Sequence, residues 1–351
     1  MTAPVDLASL RRFLERLLDG DSLQESEAAL VLQALTQSDL PPALAGAILA
    51  ASRAKGLTAA ELRGFAGAMR SLARRPVLAD SLQASAIDIV GTGGDASGSF
   101  NLSTGAALLV AASGQSVTKH GNRSISSRSG SADVLEALGL PLPLDETAAG
   151  DCLAALGFTF FFAPYYHPAM KSIAPIRQAL GVRTVFNVLG PLTNPATPPF
   201  LLVGAYSAAM AELMAEALAG MSQLRRAFVV HGAEGWDEPT PMGPFTLFDV
   251  QAGSVRASQR DPLDIGLARC TAAELKGGDA TLNAEALRQV FAGEVAGAHR
   301  DALLLGAALA LECTGRVKDW EEGLILARST LDDGRALSLL ERMREFGARE
   351  R

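Results

Sequence analysis

The chain has 351 residues, 48% of them hydrophobic and 20% charged, with a formal net charge of −7. This is ample for a sizeable core, and the length favours two unequal domains over one. The negative balance disfavours a general nucleic-acid binder, so an anionic ligand would have to be held by local basic groups and metal. Cys152, Cys270 and Cys313 are far apart, odd in number and unaccompanied by clustered histidine, the pattern of buried thiols and not of disulfides or a zinc site. The N-terminus has no basic head followed by an apolar signal core, and the longest apolar helical runs, such as Ala302 to Leu311, are too short to span a bilayer. A soluble, cytoplasmic protein is expected.

Residues 1 to about 75 read as helices only. Leu7, Leu10, Phe13, Leu14, Leu17 and Leu18 fall on one helical face, and Gly20 suits the stop. Ser22 with Glu25 and Thr58 with Glu61 have the spacing of capping boxes. Pro41 and Pro42 start a helix that ends by Gly56, and Leu62, Phe65, Met69 and Leu72 form the buried stripe of the next. Near residue 80 the texture changes to short strands alternating with helices, which argues an α/β domain. Candidate strands are Ile87–Val90, Ser116–Lys119, Phe158–Phe162, Phe200–Tyr206 and Ala227–His231. The helices between them are Ser103–Ser113, Ala132–Leu138, Thr147–Leu156 and Ala208–Ala219, and the tail adds Asn283–Phe291, His299–Cys313 and Lys318–Leu331. The expected fold class is therefore α/β: a small N-terminal helical domain plus a larger α/β domain with a central, mostly parallel sheet flanked by helices.

The stretch from Tyr165 to Pro195 departs from this alternation, mixing a helical pattern with Pro168, Pro175, Pro191 and Pro195. Prolines bounding a helix-rich insertion suggest a crossing between domains. The expected division is a helical domain of residues 1–80 to which 173–198 return, with 81–172 and 199–351 forming the α/β domain. Arg177 and Arg183 do not share a helical face cleanly, so one could face a site while the other supports structure.

The most chemically informative stretch runs from Asp88 to Asp133. A short apolar strand leads into Gly91-Thr92-Gly93-Gly94-Asp95, and Asn101-Leu102-Ser103-Thr104 then opens a helix. A second strand runs into Lys119-His120-Gly121-Asn122-Arg123 and a hydroxyl-rich loop, before another helix starts at Ser131. Glycines let a backbone approach a ligand closely, and helix N-termini present free N–H groups and a positive dipole end to anions. Two such strand-loop-helix units in tandem, with Lys119, Arg123 and Arg128, suit a ligand with more than one phosphate. A dinucleotide fingerprint competes, because Gly91, Gly93 and Ala96 fit G-x-G-x-x-G/A. It wants an acid roughly 20 positions on, where Lys119 and His120 stand instead. A Walker loop is excluded, since no G-K-S/T follows the glycines. Further on, Asp237 and Glu238 are adjacent acids in a Gly/Pro-rich loop at a strand's C-terminal end, where α/β folds place ligands. Beside a polyphosphate loop they are candidate Mg²⁺ ligands, since Mg²⁺ takes one or two carboxylates, waters and phosphate oxygens.

Taken together, GTGGD at Gly91–Asp95, NxST at Asn101–Thr104, KHGNRxxSS at Lys119–Ser127, GSADVLEALG at Gly130–Gly139, HPAMK at His167–Lys171 and RTxFNxLGPLxNP at Arg183–Pro195 resemble the anthranilate phosphoribosyltransferase family. Their order and spacing agree over nearly the whole chain. The resemblance implies an enzyme of tryptophan biosynthesis that transfers the phosphoribosyl group of phosphoribosyl pyrophosphate to anthranilate. It also implies two Mg²⁺ per subunit and a homodimer formed through the helical domain, with no membrane or nucleic-acid partner. By similarity, Gly91, Gly93, Gly94, Asp95, Ser99, Asn101, Ser103, Thr104, Lys119, Arg123, Ser126, Ser127 and Ser131 would hold phosphoribosyl pyrophosphate, under a loop from His120 to Ser127. Gly91, Asn122, His167 and Arg177 would contact anthranilate, Ser103, Asp237 and Glu238 would serve the metals, and Lys119, His120 and Asn122 would be catalytic, His120 as a proton acceptor.

The chain departs from the family pattern at Ser99, in place of threonine, and at Ala96, in place of glycine. Trp236 replaces a common leucine before the acidic pair, Pro239 and Pro241 follow that pair, and Gly306 stands where asparagine is frequent. Three alternatives stay open: the same chemistry on another aromatic acceptor, a pyrimidine-nucleoside phosphorylase, and a non-catalytic nucleic-acid-binding relative. The acidic pair argues against the second, and the net charge and the retained KHGNR argue against the third.

Overall fold

The computed structural model describes residues 6–95, 97–124 and 128–349. Ala96, Ser126 and Ser127 lie outside the described residues. Four helices come first: α1 (Leu7–Leu18), α2 (Glu25–Leu35), α3 (Pro42–Lys55) and α4 (Ala59–Ser71), followed by the single turn α5 (Asp80–Gln83). Alternation then begins with β1 (Ile87–Gly91), α6 (Leu102–Ala112), β2 (Val117–Gly121), α7 (Ser131–Ala137), α8 (Glu146–Leu156) and β3 (Phe158–Phe162). After α9 (Ala163–Tyr166) and α10 (Met170–Leu180) come β4 (Phe200–Gly204), α11 (Ala208–Ala219), β5 (Arg226–His231), β6 (Phe245–Gln251) and β7 (Ser254–Arg260). The chain closes with α12 (Ala280–Phe291), α13 (Ala298–Cys313), α14 (Trp320–Asp332) and α15 (Arg335–Arg349). Among the described residues no helix is long and apolar enough to cross a membrane.

The strands form one sheet in the order β3-β2-β1-β4-β5-β6-β7. The first five run parallel, and β6 and β7 are antiparallel additions. Strand side chains alternate between faces, and here that alternation feeds two cores. Leu202, Phe228, Val230 and Leu247 point into a core with α6, α8, α12, α13, α14 and α15. Leu201, Val203, Ala227, Val229 and Val250 point into the other, with α11 and the four N-terminal helices. Ile173, Val185, Phe186, Leu189 and Leu192 join this second core, and Ile176 and Leu180 of α10 lie beside Gly46 of α3. The insertion thus packs between the helical bundle and the sheet, though Pro175 lies inside α10 and not at its edge.

Several local expectations change. In α1 only Leu10 and Leu17 are buried, while Leu7 and Leu18 are 45% and 69% exposed. Helix α2 starts after Gln24, whose backbone N–H donates to Glu27 (2.8 Å), not at a Ser22–Glu25 box, because Glu25 pairs with Arg63 across the bundle (2.7 Å). The Thr58–Glu61 box is present, and the buried Glu61 also accepts from Leu23 N–H (2.9 Å) and Lys55 (2.9 Å), so one carboxylate ties the start of α4 to the start of α2. Leu72 lies beyond α4 and is 37% exposed. The β6–β7 hairpin and α15 are additions to the expected elements.

The hairpin is anchored by charge. Arg226 makes a fork to Asp249 (2.9 and 2.8 Å), and Arg260 holds Glu312 of α13 in two hydrogen bonds, one of 2.8 Å. Both guanidiniums stack on Phe228. Removing one charge from a largely buried pair leaves the other uncompensated. Glu312→Gln is therefore expected to destabilise the protein by about 3 kcal/mol in urea unfolding, and a loss under about 0.5 kcal/mol would mean that water already solvates Arg260.

Candidate active site

The parallel strands all end on one side, and the strand order reverses between β1 and β4. Ligands of open α/β sheets bind at such a switch point. Gly91 and Gly204 are paired in register there, and Asp237, from the loop after β5, lies across both. A Cβ on Gly204 would stand 1.6 Å from the Asp237 carbonyl oxygen, and one on Gly91 would stand 2.4 Å from its Oδ2. Gly93 differs from these two. A Cβ there would meet nothing within 4 Å, and its glycine is required by φ of +69°. Its N–H donates to Asp237 Oδ2 (2.5 Å).

Glu238 reaches the start of α6, where Oε1 accepts from Ser103 N–H (3.2 Å). Asp95 turns its own loop by accepting from Ser97 N–H (3.0 Å) and Oγ–H (2.9 Å). The three acids repel one another. Burial first, then Glu238 and Asp95, push the Asp237 carboxyl well above the usual range. Desolvation pushes Glu238 up to about 7 against the pull of Lys119. Lys119 is buried and donates to the Ile89 carbonyl and to Ser103 Oγ (3.3 Å). Burial lowers its ammonium, opposed by Asp88 and Glu238. Asp88 is fully buried, pushed up to about 6 by burial, and accepts from His120 N–H (3.2 Å) and Asn194 Nδ2–H (2.8 Å).

On the β2 side, His120 Nδ1 lies 3.2 Å from the Gly190 carbonyl, which makes it the protonated nitrogen, and Nε2 has no hydrogen-bond partner. The rings of His120 and His167 meet edge to face at 5.0 Å. Burial holds His120 down to about 3 and His167 to about 4, so both rings are neutral. Burial therefore opposes the expected role of His120 as a proton acceptor: its lone pair can accept a hydrogen bond, but its conjugate acid is disfavoured. Asn122 is exposed, and its carbonyl accepts from Ser131 Oγ–H (3.2 Å). Arg123 pairs with Asp133 (3.1 Å) and Glu136 (2.7 Å) of α7.

Ser99 bridges to Lys276, Asn101 precedes α6 as its cap, and Thr104 is buried within that helix. Arg177, in the last turn of α10, stacks over Phe186 at 5.2 Å and forms no ion pair with a described carboxylate, while burial lowers its guanidinium. Arg183 supports structure: it donates to the Gly94 carbonyl and stacks on Tyr206 at 4.8 Å.

Residues overlooked in the sequence are Asp88, Asp133, Asn194 and Asn283, each binding backbone or other site residues. Asp133 alone carried a signal, as the acid three positions after Gly130, whose N–H it accepts (2.9 Å). The departures at Pro239 and Gly306 line a small cavity with Ser103, Ala106 and Glu238, beneath the acidic pair, and Trp236 is buried in the adjoining core.

The glycine geometry separates two substitutions. Gly93→Ala is expected to cost only about 1–2 kcal/mol, the left-handed penalty. Gly204→Ala must displace Asp237 and should both lower the melting temperature further and reduce turnover at least about tenfold, since small misplacements at a site are costly. Equal, mild effects in melting curves and turnover assays would show that Asp237 is not seated on the strand ends.

Residues 11–73 match the helical bundle domain of a glycosyl transferase family, and residues 83–337 match that family's a/b domain. The chain is 45% identical to anthranilate phosphoribosyltransferase of Desulforudis audaxviator (strain MP104C), over 97% of either chain. It is 44% identical to that of Rubrobacter xylanophilus, over 95% of this chain and 96% of the other. The crystal structure of anthranilate phosphoribosyltransferase from Thermus thermophilus superposes with a TM-score of 0.89 at 42% identity, covering 96% of this chain and 99% of that one. The Saccharomyces cerevisiae enzyme in complex with phosphoribosyl pyrophosphate and Mg gives 0.88 at 27% identity, covering 98% and 99%. This chain belongs to the anthranilate phosphoribosyltransferase family.

Proposed function

We propose that this site transfers the phosphoribosyl group of phosphoribosyl pyrophosphate to the amine of anthranilate and releases pyrophosphate. The observation that carries this reading is the meeting of a buried acidic pair, two amide-lined loops and one buried lysine at the strand crossover. Ser103, Asp237 and Glu238 offer hard oxygen donors, which fit Mg²⁺. Among the described residues no group of three or more His, Cys, Asp or Glu is placed to hold a metal by itself, so water and the diphosphate would complete the coordination of two ions per subunit. Mg²⁺, when bound, neutralises charge on the pyrophosphate as it leaves.

The chain's own residues do the rest. Gly91, Gly93, Gly94, Asp95, Ser99, Asn101, Ser103, Thr104 and Ser131 hold the donor, with Ser126 and Ser127 in the loop over it. Lys119 supplies fixed positive charge beneath Ser103. The C1–oxygen bond to pyrophosphate breaks as the C1–nitrogen bond forms, and the resulting ammonium then releases a proton to solvent water. Positioning and electrostatics suffice, without a covalent nucleophile. His120 Nε2 accepts a hydrogen bond from the amine without holding its proton, because the protonated ring is disfavoured. Arg177 takes the carboxylate of anthranilate with two parallel hydrogen bonds, beside Gly91, Asn122 and His167. Arg123 positions the loop through Asp133 and Glu136.

Residues 1–80 with 173–198 form the helical domain of this proposal, and 81–172 with 199–351 the α/β domain. Exposed Leu7 and Leu18 support dimerisation through the former. A cytoplasmic location accords with the acceptor chemistry of a biosynthetic enzyme.

Pyrophosphate release from phosphoribosyl pyrophosphate, assayed over a panel of aromatic amines, tests the whole reading; strict preference for an amine other than anthranilate would replace the acceptor. Asp237→Asn combined with Glu238→Gln is expected to lower turnover at least about a hundredfold at saturating Mg²⁺, and normal turnover would remove the metal assignment. Arg177→Ala should raise the KM for anthranilate at least about tenfold and leave that for phosphoribosyl pyrophosphate within about twofold. Equal loss of both would make Arg177 a hinge residue.

A further inference from the structure

We infer that Asn283, in the first turn of α12, is a positioning residue for the diphosphate-binding loops, acting through Asn101. This rests on the proposed role of Asn101 in donor binding. Asn283 is buried, and its amide is oriented by its partners. Gly278 N–H donates to Asn283 Oδ1 (2.7 Å), which leaves Nδ2 to donate to Asn101 Oδ1 (2.7 Å). That in turn directs Asn101 Nδ2 to the Ser129 carbonyl (3.3 Å). The chain of hydrogen bonds therefore has one direction, and it joins three segments distant in sequence. Asn101 caps α6 after the first glycine-rich loop, and Ser129 precedes Gly130, the cap of α7 after the second. One amide in the C-terminal part of the chain thus sets the spacing of both loops.

The surroundings make this a built clamp. Phe100 N–H donates to the Leu275 carbonyl (2.9 Å), Gly277 N–H donates to the Gly98 carbonyl (3.0 Å), and Ser99 pairs with Lys276 as an isolated bridge. A Cβ on Gly277 would stand 2.7 Å from the Ser99 carbonyl oxygen, so only glycine permits this approach. Phe100 stacks on His299 with centroids 4.3 Å apart. The 276–283 segment therefore seats residues 98–101 by backbone, and Asn283 adds the single side-chain contact that reaches the proposed substrate-facing amide.

Asn283→Asp is the discriminating variant. It keeps the acceptor for Gly278 N–H and removes the donor to Asn101, together with a longer bond to the Gly278 carbonyl (3.4 Å), placing acceptors face to face. Rotating the Asn101 amide would not rescue it, because its oxygen would then oppose the Ser129 carbonyl. The variant is expected to raise the KM for phosphoribosyl pyrophosphate about tenfold, to leave that for anthranilate within about twofold, and to keep a near-normal melting temperature. Where Asn283→Asp fails to fold, Asn283→Ser serves, with the same expectation.

A double-mutant cycle then fixes the route. Asn101→Ala together with Asn283→Ala should be no worse than Asn101→Ala alone. Multiplied effects, or an unchanged donor KM in Asn283→Asp while Asn101→Ala raises it, overturn the inference and leave the donor site standing. An unchanged donor KM in Asn101→Ala overturns the role given to Asn101 itself, and the inference with it.

Discussion

The site depends on seating a carboxylate pair on the ends of two parallel strands. Asp237 can lie across β1 and β4 only because both strands end in glycine, and the contact leaves no room for a methyl group at either. Its neighbour Glu238 then meets the first turn of α6, the positive end of a helix that begins where the first phosphate loop stops. Like charge accumulates as a result. Asp95, Asp237 and Glu238 crowd together, the buried Lys119 offsets only Glu238 among them, and both members of the pair are held above their ordinary pKa. An assembly of this kind is poor at holding an anion unaided and well suited to one that arrives with a divalent cation.

The rest of the fold packs on the two faces of the sheet. One face of the sheet packs under α6, α13 and their neighbours, which fixes the donor loops from below. The other packs against α11 and the helical bundle, and the 173–192 insertion belongs to that core. Arg177 is carried by the insertion, while Lys119 and the acidic pair belong to the sheet. Arg183 links the two, since it leaves the insertion and donates to Gly94 in the donor loop.

Much of this was legible in the sequence, for identifiable reasons. Four of the five parallel strands are short runs built on Ile, Leu, Val or Phe, while β2 was marked mainly by the helix before it and the glycine that ends it. Asp237 and Glu238 stood out because they are adjacent acids in a Gly/Pro-rich loop at a strand's C-terminal end, whereas Asp145–Glu146 and Asp332–Asp333 sit at helix ends. The β6–β7 hairpin was missed because β7 is exposed along nearly its whole length and so lacks alternation, and because its turn uses Ala252 and Gly253, both at positive φ, where Asn-Gly would have been the signal. Leu7 and Leu18 misled because a helical stripe can face a surface other than its own core. The Arg123 ion pairs were not foreseen, because a basic residue in a loop gives no sign of acids ten and thirteen positions on. Asn283 could not have been found from spacing, since its partner lies in a segment far removed along the chain.

The central claim is that the acidic pair makes donor binding conditional on a divalent cation. Calorimetric titration of phosphoribosyl pyrophosphate into the intact protein tests it directly, with saturating Mg²⁺ in one arm and a chelator in the other. Binding with Mg²⁺ and a loss of at least about a hundredfold in affinity without it is the predicted result, given the several kcal/mol that a metal contributes to such charge stabilisation. Equal affinity in both arms would mean that the amides and Lys119 hold the diphosphate alone, and would contradict the account.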